Sequence, residues 1–172
     1  MARSAKRCLT TAREQALDQA ARHGVDKRMV FISGGISNAV ELRQVMQAGF
    51  SGVLCGTVFA ATRESAAHER YKQAIVNATP GDTVVTDRFS VGWHTHRHRV
   101  IRNASCEESL PAGVIGSAYY FGKRYPILRY SVAVPTVHTE GLIEDMALYC
   151  GTSCKDTHSI RTVRQVLADL TS

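Results

Sequence analysis

Met29-Val30-Phe31-Ile32-Ser33-Gly34-Gly35 and Gly52-Val53-Leu54-Cys55-Gly56-Thr57 are two short apolar runs, each reaching a glycine. Each reads as a buried strand stopped by a turn, because the run is short, β-branched or large, and ends where side chains vanish. Between them Asn38-Ala39-Val40-Glu41 has capping-box spacing, and Leu42, Val45, Met46 and Phe50 form one helical stripe. Gly49 and Gly52 punctuate the turn into the second run. Strand, helix, strand at this length predicts a parallel βαβ unit.

In parallel sheets, ligands bind at the carboxyl edge of the strands. Glycine there lets backbone N–H groups approach an anion with no Cβ in the way, and a following helix N-terminus adds a favourable dipole. Two such turns on neighbouring strands converge on one phosphate. The competing reading is a pair of tight strand-to-helix turns with no ligand.

Working outward, the 172 residues hold one domain with a real core, whereas a whole (β/α)₈ barrel takes about 250. No apolar run approaches the roughly 20 residues of a membrane span, and the first residues lack the apolar core of a signal peptide. A cytoplasmic protein with no membrane partner is expected. The net charge of +6 is shared between the N-terminal residues and a central cluster, and one Trp is present, so nucleic acid is not expected as a partner. Cys8, Cys55, Cys106, Cys150 and Cys154 form no CxxC pair and read as reduced thiols.

Upstream, Thr11-Ala12-Arg13-Glu14 has capping-box spacing and opens a helix ending at His23-Gly24. If the chain begins inside a repeating βα pattern, Val30, Ile32, Val53 and Cys55 have apolar sides without partner strands. Downstream, Thr62 is positioned to cap a helix whose apolar face is Tyr71, Ala74, Ile75 and Ala78. Pro80-Gly81-Asp82 turns the chain into a strand over Thr83–Thr86. His94, His96 and His98 alternate as on one face of a strand, but no carboxylate or thiol sits at ligand spacing beside them, so no metal is assigned. Tyr119 to Pro126 reads as a partly exposed aromatic loop, Gly141 to Tyr149 as a short helix, and Ser159 as the cap of a last helix carrying Ile160, Val163, Leu167 and Leu170.

Phe31-Ile32-Ser33-Gly34-Gly35-Ile36, then Ala48 through Phe59, then Glu64-Ser65, resemble the C-terminal half of the nitronate monooxygenases, also called 2-nitropropane dioxygenases. Further matches follow in order at Thr83 to Thr86, Arg99 to Asn103 and Tyr149-Cys150-Gly151. The resemblance implies an FMN enzyme on a (β/α)₈ barrel whose seventh and eighth strands bind the FMN phosphate. It implies that Gly34 and Gly35 are the strand-seven loop, and Leu54, Cys55, Gly56 and Thr57 the strand-eight loop. The family often has Arg where Val58 stands and a catalytic histidine upstream, in a Gly-Gly-His type motif that this sequence does not contain before Met29.

The fold class expected is therefore α/β, the last βα units of a partial TIM barrel over residues 1–78, with an α-rich irregular insert and closing helix over 79–172. In function, the resemblance implies FMN-dependent oxidation of an alkyl nitronate with oxygen as co-substrate, this chain supplying the phosphate-binding half and no catalytic residue. A flavin-dependent enoyl-acyl-carrier reductase is a close alternative. A reading of another class is a non-catalytic assembly module that completes a barrel with a second chain or forms a homo-oligomer.

Overall fold

A computed structural model describes residues 2–24, 29–93 and 96–172. They form two compact units, Met1–Cys55 with Leu167–Ser172, and Gly56–Val166.

The first unit opens with helix α1 (Ala2–Arg22). Thr11 lies inside it rather than at its start, because the preceding residues are themselves Ala-, Lys- and Arg-rich helix formers. Gly24, at φ +65°, takes the left-handed conformation that ends a helix, its amide donating back to the Ala21 carbonyl. Strand β1 (Phe31–Ser33), helix α2 (Ala39–Gln47) and strand β2 (Gly52–Leu54) then form the predicted parallel βαβ unit, with Ser33 opposite Leu54. The Asn38 side chain caps α2 by accepting from the Glu41 amide at 3.0 Å. The Glu41 carboxylate reaches back one residue beyond the cap, to the amide and hydroxyl of Ser37 at 2.8 and 3.1 Å. Val45 and Phe50 bury the expected stripe, whereas Met46 stays exposed. The two strands also differ from expectation. Val30, Ile32, Val53 and Cys55 are half-buried, and the open positions are Met29, Phe31 and Leu54 on the alternate phase.

The second unit is richer in strand than in helix, which corrects the α-rich insert. It begins with one helical turn, α3 (Thr57–Ala60), then α4 (Glu69–Asn77), capped by the His68 imidazole rather than by Thr62. Thr62 instead bridges to Arg161, which leaves residues 63–68 as a connection. Strands β3 (Thr83–Thr86) and β4 (His98–Ile101) pair antiparallel, followed by the one-turn α5 (Ala104–Glu107). Strands β5 (Val114–Tyr120), β6 (Lys123–Leu128) and β7 (Thr139–Gly141) make an antiparallel sheet in the order β6-β5-β7. The aromatic segment read as a loop is thus the β5–β6 hairpin, turning at Phe121-Gly122. Residues 141–149 are not a helix. Gly141 ends β7 and a single 3₁₀ turn over Ile143–Asp145 follows, because the Arg129 guanidinium and the Ser105 hydroxyl fasten Asp145 to neighbouring segments.

The last helix, α6 (Val163–Thr171), starts at Thr162 rather than Ser159. Thr162 and Gln165 exchange cap bonds, the Gln165 backbone amide donating to the Thr162 hydroxyl at 3.2 Å and the Thr162 backbone amide to the Gln165 side-chain Oε1 at 2.9 Å. Its buried positions are Val166 and Leu170, while Leu167 faces outward. The core of the second unit gathers Tyr71, Ile75, Leu148, Cys150 and Cys154, with Ile115, Ile127, Ile143 and Met146 beneath the three-stranded sheet. Each buried Ile, Leu or Met among them contributes about 1.5–3 kcal/mol by leaving water.

Candidate functional site

Gly34 and Gly35 follow directly on β1, at φ +98° and +74°. A side chain resists that conformation, so the backbone itself calls for glycine at both positions. An added Cβ at Gly34 would meet nothing within 4 Å, so conformation, not crowding, is what selects glycine there. The next residues are anchored, Ile36 and Ser37 being buried and Ser37 held by Glu41. On the adjacent strand the Leu54 carbonyl accepts from the Ser33 hydroxyl at 3.3 Å. The parallel register therefore sets Gly34 and Cys55 side by side, at the carboxyl edge of the two strands.

Gly56 differs from that pair. Its φ is −103°, open to any residue, and an added Cβ would again meet nothing within 4 Å. Neither the backbone nor the packing of the chain asks for glycine at 56. Thr57 opens α3, and the amides of Thr57 and Val58 have no acceptor inside that helix. The Thr57 side chain is nearly buried at 8% exposure, and its hydroxyl accepts from the Gly151 amide at 2.8 Å. Glycine at 151 permits the approach, since a Cβ there would lie 3.3 Å from that hydroxyl oxygen.

At Cys55 the thiolate form is disfavoured. Burial pushes its thiol above the ordinary 9.0, and the Glu41 carboxylate adds to the shift. Cys150 is pushed up further, to about 12, by burial and by Cys154 beside it. Val58, where the resembling family often carries arginine, is 1% exposed. An arginine there would bury its charge, so the chain brings no cation to this position.

The other sequence candidates go to structural work. Glu64 receives the Val163 amide on both carboxylate oxygens at 3.1 and 3.0 Å, capping α6. Arg99 donates to the Thr83 hydroxyl at 3.1 Å, and Arg102 pairs with Glu107 at 3.3 Å on the surface. The Asn103 side-chain oxygen accepts from the Cys106 amide, capping α5, while its nitrogen donates to the Glu144 and Met146 carbonyls. His96 and His98 pack in an aromatic group with Trp93 and Tyr149, ring centroids 4.8–5.9 Å apart, and His94 lies outside the described residues. Among the described residues, no group of three His, Cys, Asp or Glu is placed to hold a metal ion. Two roles escaped the sequence reading, Glu64 as a cap and Gly151 as the partner of Thr57. The Tyr149-Cys150-Gly151 turn was visible, but its pairing spans 94 residues and leaves no local signal.

A family model for nitronate monooxygenase matches residues 14–172. A probable nitronate monooxygenase of Staphylococcus haemolyticus (strain JCSC1435) is 38% identical over 61 residues, which is 36% of this chain and 17% of that protein. Among solved structures, a point mutant of FabK from Thermotoga maritima aligns with a TM-score of 0.58 at 28% identity, covering 83% of this chain and 39% of that one. FabK itself, from the same organism, aligns with a TM-score of 0.57 at 27% identity, over 83% of this chain and 42% of its own. The chain thus spans less than half the length of these relatives. With the family model covering nearly all of its residues, the chain belongs to the nitronate monooxygenase family, a family of flavin-dependent oxidoreductases.

Proposed function

We propose that this chain is the FMN-phosphate end of a flavoenzyme that oxidises alkyl nitronates with oxygen, on the last βα units of a (β/α)₈ barrel. The observation that carries the reading is Gly56, a glycine that neither the chain's conformation nor its packing requires. Something outside the chain approaching the backbone there accounts for it. The residues fit a phosphate dianion. The amides of Gly56 and Thr57 are its donors at the start of α3, and Gly34 and Gly35, taken by themselves, offer an unobstructed left-handed turn of the same kind. The Thr57 hydroxyl accepts from Gly151 through a lone pair, so its proton is the group it offers to a phosphate oxygen. Leu54 and Cys55 complete the loop as uncharged neighbours. Bound FMN would supply the electron-accepting ring for nitronate oxidation. No residue of this chain is assigned to the reacting centre.

The test is a titration of the purified chain with FMN, followed by flavin fluorescence and absorbance, with Gly56→Ala and Gly56→Asp as variants. Binding is expected, weakened by Ala and abolished by Asp, with unchanged circular dichroism in all three. A folded chain that binds no FMN, or binds it equally as Gly56→Asp, overturns the phosphate site. The open positions Met29, Phe31 and Leu54 support a second reading, an assembly module completed by strands from another chain. A folded chain that binds no FMN but associates stably with a polypeptide carrying the first βα units of the family would favour that reading. With the binding form in hand, turnover of an enoyl thioester in place of a nitronate would move the assignment to the reductase alternative.

A further inference from the structure

Among the described residues, the buried polar side chains are those of Ser37, Thr57, Thr62, Lys72, Thr83, Ser105, Thr139, Ser153 and Thr157. All but one of them make a side-chain hydrogen bond within the chain. Ser153 is the exception. It is 4% exposed, on the 3₁₀ turn over Thr152–Asp156, and its hydroxyl has no hydrogen-bond partner among the described residues. A buried hydroxyl without a partner gives up water and gains nothing in return, so such a group calls for one. Its oxygen is not sealed off. Among the described residues, the side-chain nitrogen or oxygen that is both unpartnered and cut off from solvent is His98 Nε2, so the Ser153 hydroxyl still opens outward.

Gly151 sets what that hydroxyl opens onto. Its backbone, at φ −79° and ψ 170°, suits any residue and does not require glycine. A Cβ placed there would lie 3.3 Å from the Thr57 hydroxyl oxygen and 3.7 Å from that of Ser153. Chain neighbours apart, it would meet no other described atom within 4 Å. The missing side chain thus leaves a space faced by two hydroxyls, close enough for one oxyanion to bridge them. The turn that carries Ser153 is fixed. The Gly151 carbonyl accepts from the Cys154 amide at 3.2 Å, the Ser153 carbonyl accepts from the Thr157 hydroxyl at 3.3 Å, and Cys154 and Thr157 are buried.

Both hydroxyls present protons to this space. Thr57 already receives the Gly151 amide on a lone pair at 2.8 Å, and its own proton has no acceptor among the described residues. The matching ligand is an acceptor with several lone pairs, which describes the oxygens of a phosphate monoester. We propose that the Ser153 hydroxyl is a further ligand of the FMN phosphate, donating to it alongside Thr57 across the space over Gly151. The inference rests on the flavin reading above and deepens it. With the Gly56 and Thr57 amides, the two hydroxyls make a set of uncharged donors, and the work of Ser153 is to hold the phosphate.

The test titrates the full chain with FMN and with riboflavin, which carries the same ring and no phosphate, by flavin fluorescence. The proteins are the parent, Ser153→Ala and Gly151→Ala. Ser153→Ala should weaken FMN about tenfold or more, the scale of one hydrogen bond to a charged group, and leave riboflavin unchanged. Without flavin it should melt no lower than the parent, because the hydroxyl it removes bonds nothing in the described chain. Gly151→Ala fills the space from the backbone and should likewise weaken FMN and not riboflavin. Parent and Ser153→Ala binding FMN equally, with Gly56→Asp abolishing it, overturns the role of Ser153 and leaves the phosphate site standing. A parent that binds no FMN removes the phosphate site and this inference with it. Riboflavin weakened in step with FMN, or a Ser153→Ala chain that melts lower without flavin, also overturns the proposal, by assigning the hydroxyl to the ring or to the fold.

Discussion

Replacing Thr57 by valine removes one hydrogen bond and nearly nothing else. Valine matches threonine in shape, so no cavity opens, but the Gly151 amide loses the acceptor it reaches at 2.8 Å. Thr57 is almost buried and Gly151 half-buried, so water replaces that acceptor poorly. An N–H left unsatisfied under such cover costs about 1–3 kcal/mol. A loss of about 2 kcal/mol lowers the melting temperature of a chain of this size by about 4–8 °C. Thr57→Ser keeps the hydroxyl and loses one buried methyl, a smaller loss of about 1 kcal/mol. Thermal melts followed by circular dichroism, with urea unfolding as a second probe, should therefore rank parent above Ser above Val. Valine matching the parent, or serine falling below valine, refutes the role given to this bond.

Glu64→Ala should uncap α6 and cost about 1 kcal/mol, with Glu64→Gln in between because it keeps an acceptor but loses the charge at a helix N-terminus. Hydrogen exchange at the Val163 to Val166 amides should rise most in the alanine variant, and uniform exchange in all three would refute the cap. The Asp82 carboxylate accepts from the amide and hydroxyl of Thr79, both at 2.8 Å, and these bonds, the backbone one foremost, hold its pKa below the ordinary 3.8. A carboxyl depressed on folding adds stability above its unfolded pKa and loses it as pH falls through the folded one. The stability gap between parent and Asp82→Asn should be full at neutral pH and close as pH drops below 3.8. A gap that persists unchanged to about pH 2 would contradict this linkage.

The βαβ unit was legible because every signal that builds it is local. Asn38 and Glu41 cap within one turn, and Gly34 and Gly35 mark the end of β1 by their own conformation. Helix starts were read less well where two capping residues compete within a few positions. Ser159 and Thr162 both qualify, and only Gln165 three residues on decides for Thr162. The hairpin was missed because its turn residue is Phe121, whose type argues against a left-handed turn, and because β5 carries a bulge between Val114 and Gly116 that breaks the alternation. The α-rich expectation for residues 79–172 failed for the same reason, since β5, β6 and β7 take their order from pairing across the sheet. Of the candidate site, the glycines were visible as composition. The fixing of Thr57 was not, because its partner belongs to another part of the sequence.

The separation between Thr57 and Gly151 has a consequence in time. Closing a loop of 94 residues costs on the order of 4 kcal/mol of chain entropy, which no contact near Thr57 in sequence repays. The Glu64–Val163 cap closes a loop of 99 residues over the same stretch. At ordinary synthesis rates the ribosome takes about 5–19 s to pass from residue 57 to residue 151. Through that interval the start of α3 waits for the far turn to arrive. The threonine clasp therefore closes late, and pulse-labelled nascent chains should show protection at the start of α3 only after residue 151 has been made.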